Sequence, residues 1–167
     1  MLKRAIPNVL TFSNLTFGVL SIVEVIQQNY IASAAFIMIA AFMDRYDGRI
    51  ARRLDVCSDF GKELDSLADL VSFGVAPALL IFNKFNFLEL NAKLVGLGVL
   101  VLYVLCGSYR LVRFNIIKFE GNFIGVPITV AGLALSAYSL LAPINKVSVF
   151  FSDWFTPFSF LLYGIQI

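Results

Sequence analysis

A chain of 167 residues that is 59% hydrophobic and only 14% charged cannot clothe a core of its own size in a water-facing surface, since ordinary soluble domains carry about 25% charged residues. It reads as one integral-membrane domain over residues 1–167. The absence of histidine excludes the commonest zinc ligand and the usual general base, and Cys57 and Cys106 have neither zinc spacing nor a disulfide framework around them. Both cysteines read as small buried hydrophobes, and the net charge of +2 says less than the placement of the charges.

A helix that crosses a bilayer needs about 20 mostly apolar residues. Six such segments follow one another, which predicts an all-α bundle of six transmembrane helices. The first covers 8–26 and stops at Gln27, Gln28 and Asn29. Lys3 and Arg4 precede it, but Pro7, Asn8, Thr11, Ser13 and Asn14 interrupt the apolar run and no small-residue cleavage site follows. It therefore reads as a retained helix rather than a cleaved secretory signal. The second begins at Tyr30, is apolar to Met43 and continues into a polar segment. The third covers 62–82, the fourth 92–112, the fifth 124–141 with Pro143 as its stop, and the sixth 147–165. No internal repeat, low-complexity tract or soluble appendage is present.

Lys and Arg set the orientation, because cytoplasmic loops collect positive charge. Lys3, Arg4, Arg45, Arg49, Arg52, Arg53, Lys62, Arg110, Arg113 and Lys118 fall on one side, against Lys84, Lys93 and Lys146 on the other. The bias predicts a multi-pass protein of the cell membrane with both termini in the cytoplasm. The polar junction between the second and third helices then faces the cytoplasm too.

That junction reads DRYDGRIARRLDVCSDFGKELDSLAD from Asp44 to Asp69. At about 100° per residue, Asp44, Asp47, Gly48 and Ala51 fall within about 100° of arc on one helix face. Gly61, Asp65 and Asp69 share a face of the third helix, each step of four advancing about 40°, with Ser58 and Ser72 nearby. Two antiparallel neighbours can aim these faces at each other. Carboxylates at membrane depth are costly unless they line a protein cavity and meet opposite charge. Four together ask for a hard cation such as Mg²⁺, Mn²⁺ or Ca²⁺ in all-oxygen ligation. Gly48 and Gly61 leave the backbone open to a ligand, and Arg52, one turn past Gly48, can contact a phosphate.

The plainer alternative is a polar loop whose acids pair with Arg45, Arg49, Arg52, Arg53 and Lys62; helical spacing on both flanks argues against it. Asp55, Asp59 and Glu63 keep that plainer role, pairing with neighbouring cations or capping the third helix. An ion transporter also places aspartates inside a bundle, but it has no use for Gly48, Ala51, Arg52 and Gly61 at these spacings. An intramembrane prenyltransferase pairs aspartate motifs with Mg²⁺ and a diphosphate donor, but lacks the continuation Asp47-Gly48-x2-Ala51-Arg52.

The pattern D-x2-D-G-x2-A-R-x8-G-x3-D-x3-D is met at eight fixed positions across 26 residues, and it resembles the signature of the CDP-alcohol phosphotransferase family. The resemblance implies a six-helix membrane enzyme that transfers a phosphatidyl or similar group from a CDP-linked donor to an alcohol and releases CMP. It further implies that Asp44, Asp47, Asp65 and Asp69 form a site for one or two Mg²⁺ or Mn²⁺ ions, with Asp69 also the general base. Gly48, Ala51 and Gly61 would make room for cytidine and diphosphate, with Arg52 and Ser58 beside them. The stretch from Ile6 to Thr11 is similar to the family's first-helix start, which assigns Asn8 and Thr11 to the nucleotide site.

The acceptor is read further along. Arg110 and Arg113, three apart, share a helical face and suit a carboxylate or a phosphate; boundary charge is the alternative. The run from Arg110 to Asn115 resembles the R-L-A-R-F-N motif of the family's phosphatidylserine synthase branch. The run from Phe123 to Ile128 is similar to that branch's F-x-G-L-P-x-P, and the run from Asp65 to Pro77 matches it as well. Val112, Val126 and Thr129 depart from the branch's Ala, Leu and Pro. The likeness implies serine as acceptor, with Arg110, Arg113 and Asn115 binding it; inositol phosphate or glycerol phosphate is the alternative within the family. The partners expected are a CDP-lipid, a small polar alcohol and membrane lipids, with no nucleic acid. Gly96 and Gly98 point weakly to close helix packing and a homodimer.

Overall fold

The structure, a computed structural model, describes residues 2–54, 58–85, 93–116 and 126–142. Every element among them is helical: α1 (Leu2–Ile26), α2 (Tyr30–Leu54), α3 (Asp59–Lys84), α4 (Lys93–Ile116) and α5 (Ile128–Leu141). The sixth expected segment, 147–165, and the stop at Pro143 lie outside the described residues, so five helices are seen where six were expected. Three stretches, Asn8–Ile26, Asp59–Lys84 and Leu94–Asn115, are long and apolar enough to cross a membrane, and Ile128–Leu141 is a shorter apolar helix. The helices α1, α3 and α4 overrun their expected limits by a few residues, and α5 starts at Ile128 rather than 124, after Pro127.

The faces by which α1 and α2 meet their neighbours are small and partly polar, while large apolar residues face outward. On α1, Thr11, Asn14, Ser21 and Val25 are buried, while Val9, Phe12, Val19, Val23 and Ile26 are exposed. Their spacing of three and four residues is a helical stripe, but the stripe that faces the neighbours is made of small and polar residues. That is the arrangement lipid-facing helices adopt, because packing in a bilayer comes from close approach and interhelical hydrogen bonds. On α2 the buried stripe is Ser33, Ala34, Ile37, Ala40 and Asp47, with Ile31, Phe42 and Tyr46 outside.

A tight reversal joins α1 to α2. The Asn29 N–H bonds the Glu24 carbonyl (2.9 Å) and the Gln28 N–H bonds the Val25 carbonyl (3.0 Å), with Gln28 at φ 61°. This pair of bonds closes a helix through one left-handed residue, and it folds α2 back against α1 so that the polar end of α2 meets the start of α1.

The helix α3 is regular from Asp59 to Asp69, widens to a π turn over Leu70–Val75 and is regular again over Ala76–Lys84. Its sequence explains part of this. Pro77 has no N–H to give to the Phe73 carbonyl four residues earlier. The Tyr103 hydroxyl of α4 donates to that carbonyl instead (3.0 Å). Helix α5 crosses at the same point: a Cβ on Gly132 would lie 2.7 Å from the Phe73 carbonyl oxygen and 2.8 Å from its Cα. Two apolar clusters fix the frame around this turn. One joins Val25, Ala34, Ile37, Phe73, Leu80 and Ile128, and the other Ile81, Phe82, Phe85, Tyr103, Ala131 and Leu135.

Candidate active site

Helix α1 runs along the polar ends of α2 and α3 and meets them turn by turn. The Asn8 Oδ1 sits 3.6 Å from where a Cβ on Gly61 would be. The Thr11 hydroxyl donates to Asp47 Oδ2 (3.0 Å), and the Asn14 amide Nδ2 donates to Asp69 Oδ1 (3.2 Å). At Gly18 the two backbones touch: a Cβ there would fall 2.3 Å from the Ser72 hydroxyl and 2.9 Å from its Cα. Ser72 in turn donates to the Asn14 carbonyl (3.1 Å). Glycine at 18 thus permits the approach that brings Asn14 to Asp69.

As the helical arcs require, α2 stays helical through Asp44 and Asp47. A carboxylate oxygen from each of Asp44, Asp47 and Asp65 lies within 4.8 Å of the others. The fourth acid, Asp69, stands close enough for its carboxylate to interact with Asp44, Asp65 and Asp47. Asp47 and Asp69 are buried at 3% and 8% exposure, so water cannot screen their charge fully. The Asp65 Oδ1 is buried without any hydrogen-bond partner among the described residues. Crowded carboxylates repel, and an orphaned buried oxygen forfeits its solvation. A hard divalent cation relieves both at once, and the all-oxygen donor set suits Mg²⁺ or Mn²⁺. The residues present fit such an ion.

Among the described side chains, the basic residues of the junction do not take this role. Arg45, Arg49 and Arg53 are exposed, and Lys62 pairs with Asp59 (3.4 Å) on the surface. Ser58 is the N-cap of α3, its hydroxyl accepting from the Gly61 N–H (3.1 Å). Gly48 follows Asp47 on α2 and is half-buried; Ala51 and Arg52 lie on the last turn of α2, with side chains outside the description.

Arg110 is half-buried on α4, one turn past Gly107, whose missing side chain lets Ile128 approach (Cδ1 2.7 Å from a built Cβ). Arg113 is half-buried and Asn115 is exposed. The Asn115 Nδ2 donates to the Ser66 hydroxyl (2.9 Å), which ties the end of α4 to the residue beside Asp65. Of the run from Phe123 to Ile128, residues 123–125 lie outside the described residues, and Pro127 caps α5. Cys106 is a free, half-buried thiol that packs on the apolar core, and Cys57 lies outside the description. Gly96 is buried, whereas Gly98 has nothing within 4 Å of its position.

Asn14 is the site residue that the sequence reading passed over. It is fully buried and bonded to Asp69, yet its Oδ1 has no partner among the described residues. The available signal was its place three residues after Thr11 and four before Gly18, on one helical stripe.

Fold and site together define a membrane-embedded helical protein with a carboxylate pocket at one end of the bundle. The family model for CDP-alcohol phosphatidyltransferase matches residues 4–163. The chain belongs to the CDP-alcohol phosphatidyltransferase family. It is 39% identical over 131 residues to the CDP-diacylglycerol–serine O-phosphatidyltransferase of Bacillus subtilis, covering 78% of this chain and 72% of that one. It is 38% identical over 151 residues to the archaetidylserine synthase of Methanothermobacter thermautotrophicus, covering 88% and 63%. The CDP-diacylglycerol–serine O-phosphatidyltransferase of Methanocaldococcus jannaschii is 39% identical over 136 residues, covering 81% and 61%. The chain thus spans between three-fifths and three-quarters of the length of these relatives.

Proposed function

We propose that this protein transfers a phosphatidyl group from CDP-diacylglycerol, or from the corresponding archaeal CDP-linked diether lipid, to the hydroxyl of L-serine, releasing CMP in phospholipid synthesis. The observation that carries the reading is the pocket itself: three carboxylates within 4.8 Å of one another, with a fourth beside them held by an amide. The names of its relatives, two for phosphatidyl transfer to serine and one for archaetidylserine synthesis, agree with it.

In this reading Asp44, Asp47 and Asp65 hold one or two Mg²⁺ or Mn²⁺ ions, with Asp69 completing the site. When bound, the metal neutralises the donor diphosphate and the charge that builds on the departing CMP. Asn8, Thr11, Gly48, Ala51, Arg52, Ser58 and Gly61 surround the CDP moiety. The serine oxygen attacks the phosphorus that carries the lipid, and the bond from that phosphorus to CMP breaks. Asp69 accepts the hydroxyl proton as the transfer proceeds. Arg110 and Arg113 clamp the serine carboxylate, with Asn115 at the edge of the acceptor site. The remaining architecture is part of the same proposal: one domain of six membrane helices over 1–167, both termini and the pocket on the cytoplasmic side, and assembly as a homodimer.

The test is CMP release from CDP-diacylglycerol by purified protein with Mn²⁺, Mg²⁺ or EDTA, offered serine, inositol phosphate or glycerol phosphate. Release that depends on serine and on metal is expected. Release driven by another acceptor overturns the serine assignment, and full release in EDTA overturns the metal site.

A further inference from the structure

We propose that Asn14 is a positioning residue for the reaction, holding the Asp69 carboxylate in the orientation that takes the acceptor's proton; this rests on the base role given to Asp69 above. Asn14 is 0% exposed, and its Nδ2 donates to Asp69 Oδ1 at 3.2 Å. That bond holds Oδ1 and so fixes the plane of the carboxylate. Three features show that the arrangement is built. Ser72 fastens the Asn14 carbonyl one turn further along α3. Gly18 is the residue whose bareness allows α1 and α3 to meet there. Asp69 is the last residue before α3 widens into its π turn, so the helix departs from regular winding at the bonded residue, and π turns gather at functional sites.

The other half of the amide argues against a purely architectural role. The Asn14 Oδ1 is buried with no hydrogen-bond partner among the described residues. An unpaired buried acceptor costs stability, and an apolar side chain of the same size would not carry that cost. A residue placed only to pack α1 on α3 gains nothing from this amide. A residue placed to donate to Asp69 needs it, because Asp44, Asp65 and Asp47 crowd that carboxylate with like charge and an N–H donor offsets part of it. Chemically the step stays as proposed: the serine O–H proton moves to the Asp69 carboxylate, the new phosphorus–oxygen bond forms, and CMP leaves with the electron pair of the old one. Asn14 touches neither substrate. It narrows the geometries open to Asp69, and small misplacements of a reacting group cost on the order of 100-fold in rate.

The test compares Asn14→Leu, Asn14→Ser and Asp69→Asn in purified protein, measuring kcat, KM for serine and for CDP-diacylglycerol, CDP affinity, and thermal unfolding. For Asn14→Leu, kcat is expected to fall on the order of 10- to 100-fold, with both KM values and CDP affinity within about threefold and a cooperative unfolding transition retained at a modestly lower midpoint, because Asp69 Oδ1 loses its donor. Asn14→Ser keeps a hydroxyl donor and should recover part of kcat, and it decides the matter if the leucine variant does not fold. Full kcat in both Asn14 variants beside an inactive Asp69→Asn overturns the positioning role and leaves the base role standing. Turnover in Asp69→Asn overturns the base role itself. A loss confined to CDP affinity or to folded yield in both Asn14 variants assigns Asn14 to nucleotide binding or to packing, and overturns the proposal.

Discussion

Asp65→Asn should change stability in opposite directions with and without metal. The side chain keeps its shape and loses its charge. In the native site its Oδ1 is buried without a partner among the described residues, and carboxylate oxygens of Asp44 and Asp47 lie within 4.8 Å. Two unit charges at such a distance repel by about 3.5 kcal/mol at an effective dielectric constant of 20. Asp65 is only partly buried, and solvent screening brings the recoverable part to about 1 kcal/mol. In EDTA the variant should therefore melt above the native protein, by about 2–4 °C for a chain of this size.

With metal the order reverses. A ligand at 100 times its dissociation constant stabilises the folded state by about 2.7 kcal/mol, equivalent to about 5–10 °C here. The native protein should gain that shift with saturating Mn²⁺, and the variant should lose most of it along with one of the site's carboxylates. Thermal unfolding of detergent-solubilised protein, with EDTA and with Mn²⁺, reads both signs in one experiment. A variant that melts lower than native in EDTA refutes the repulsion argument. A variant that keeps the full metal-dependent shift refutes Asp65 as a ligand.

Gly132→Ala should cost about 2–3 kcal/mol in thermal unfolding, because the new methyl group would meet three atoms of Phe73 at 2.7–2.8 Å and that carbonyl is held by Tyr103; a native midpoint would mean that the two helices are farther apart. Gln28→Gly should raise stability by about 0.5–1 kcal/mol, since Gln28 carries a φ of 61° in the reversal between α1 and α2, and a lower midpoint would show that its side chain contributes more than its backbone costs. Arg110→Ala should raise the KM for serine by about 10-fold or more, the worth of a charge-assisted hydrogen bond, with the KM for CDP-diacylglycerol within twofold. The reverse split in steady-state CMP release would put Arg110 on the diphosphate.

Regular helix geometry made the carboxylates legible and hid their neighbours. Asp44 and Asp47 could be set on one face because α2 winds without interruption through them. The same arithmetic carried along α3 put Ser72 with Gly61, Asp65 and Asp69. In the structure the helix widens after Asp69, and Ser72 bonds the Asn14 carbonyl of α1. The signal for that departure was Pro77, whose missing N–H leaves the Phe73 carbonyl to another donor, but which donor answers is a tertiary fact supplied by Tyr103 on α4. Asn14 was hidden differently. In one dimension it is a polar break in an apolar run, and only the Gly18 crossing turns it toward Asp69.

Buried polar side chains in such a bundle sort by where their hydrogen bonds end. Ser21 and Ser33 are as buried as Asn14, but they bond each other at 2.8 Å across the α1–α2 pair, so neither oxygen is left without a partner. Thr11 and Asn14, on the same stripe of α1, spend their donors on Asp47 and Asp69. Of the three buried polar atoms without partners among the described residues, two, Asn14 Oδ1 and Asp65 Oδ1, belong to residues of this pocket. The third, on Ser139, sits on α5 by the far end of α3, where Lys84 donates to the Ser139 carbonyl. In a bundle whose outside is apolar by necessity, a bonded pair such as Ser21 and Ser33 joins helices, whereas donors aimed at carboxylates, and a carboxylate oxygen such as Asp65 Oδ1 left without a partner among the described residues, mark where an ion completes the bonding.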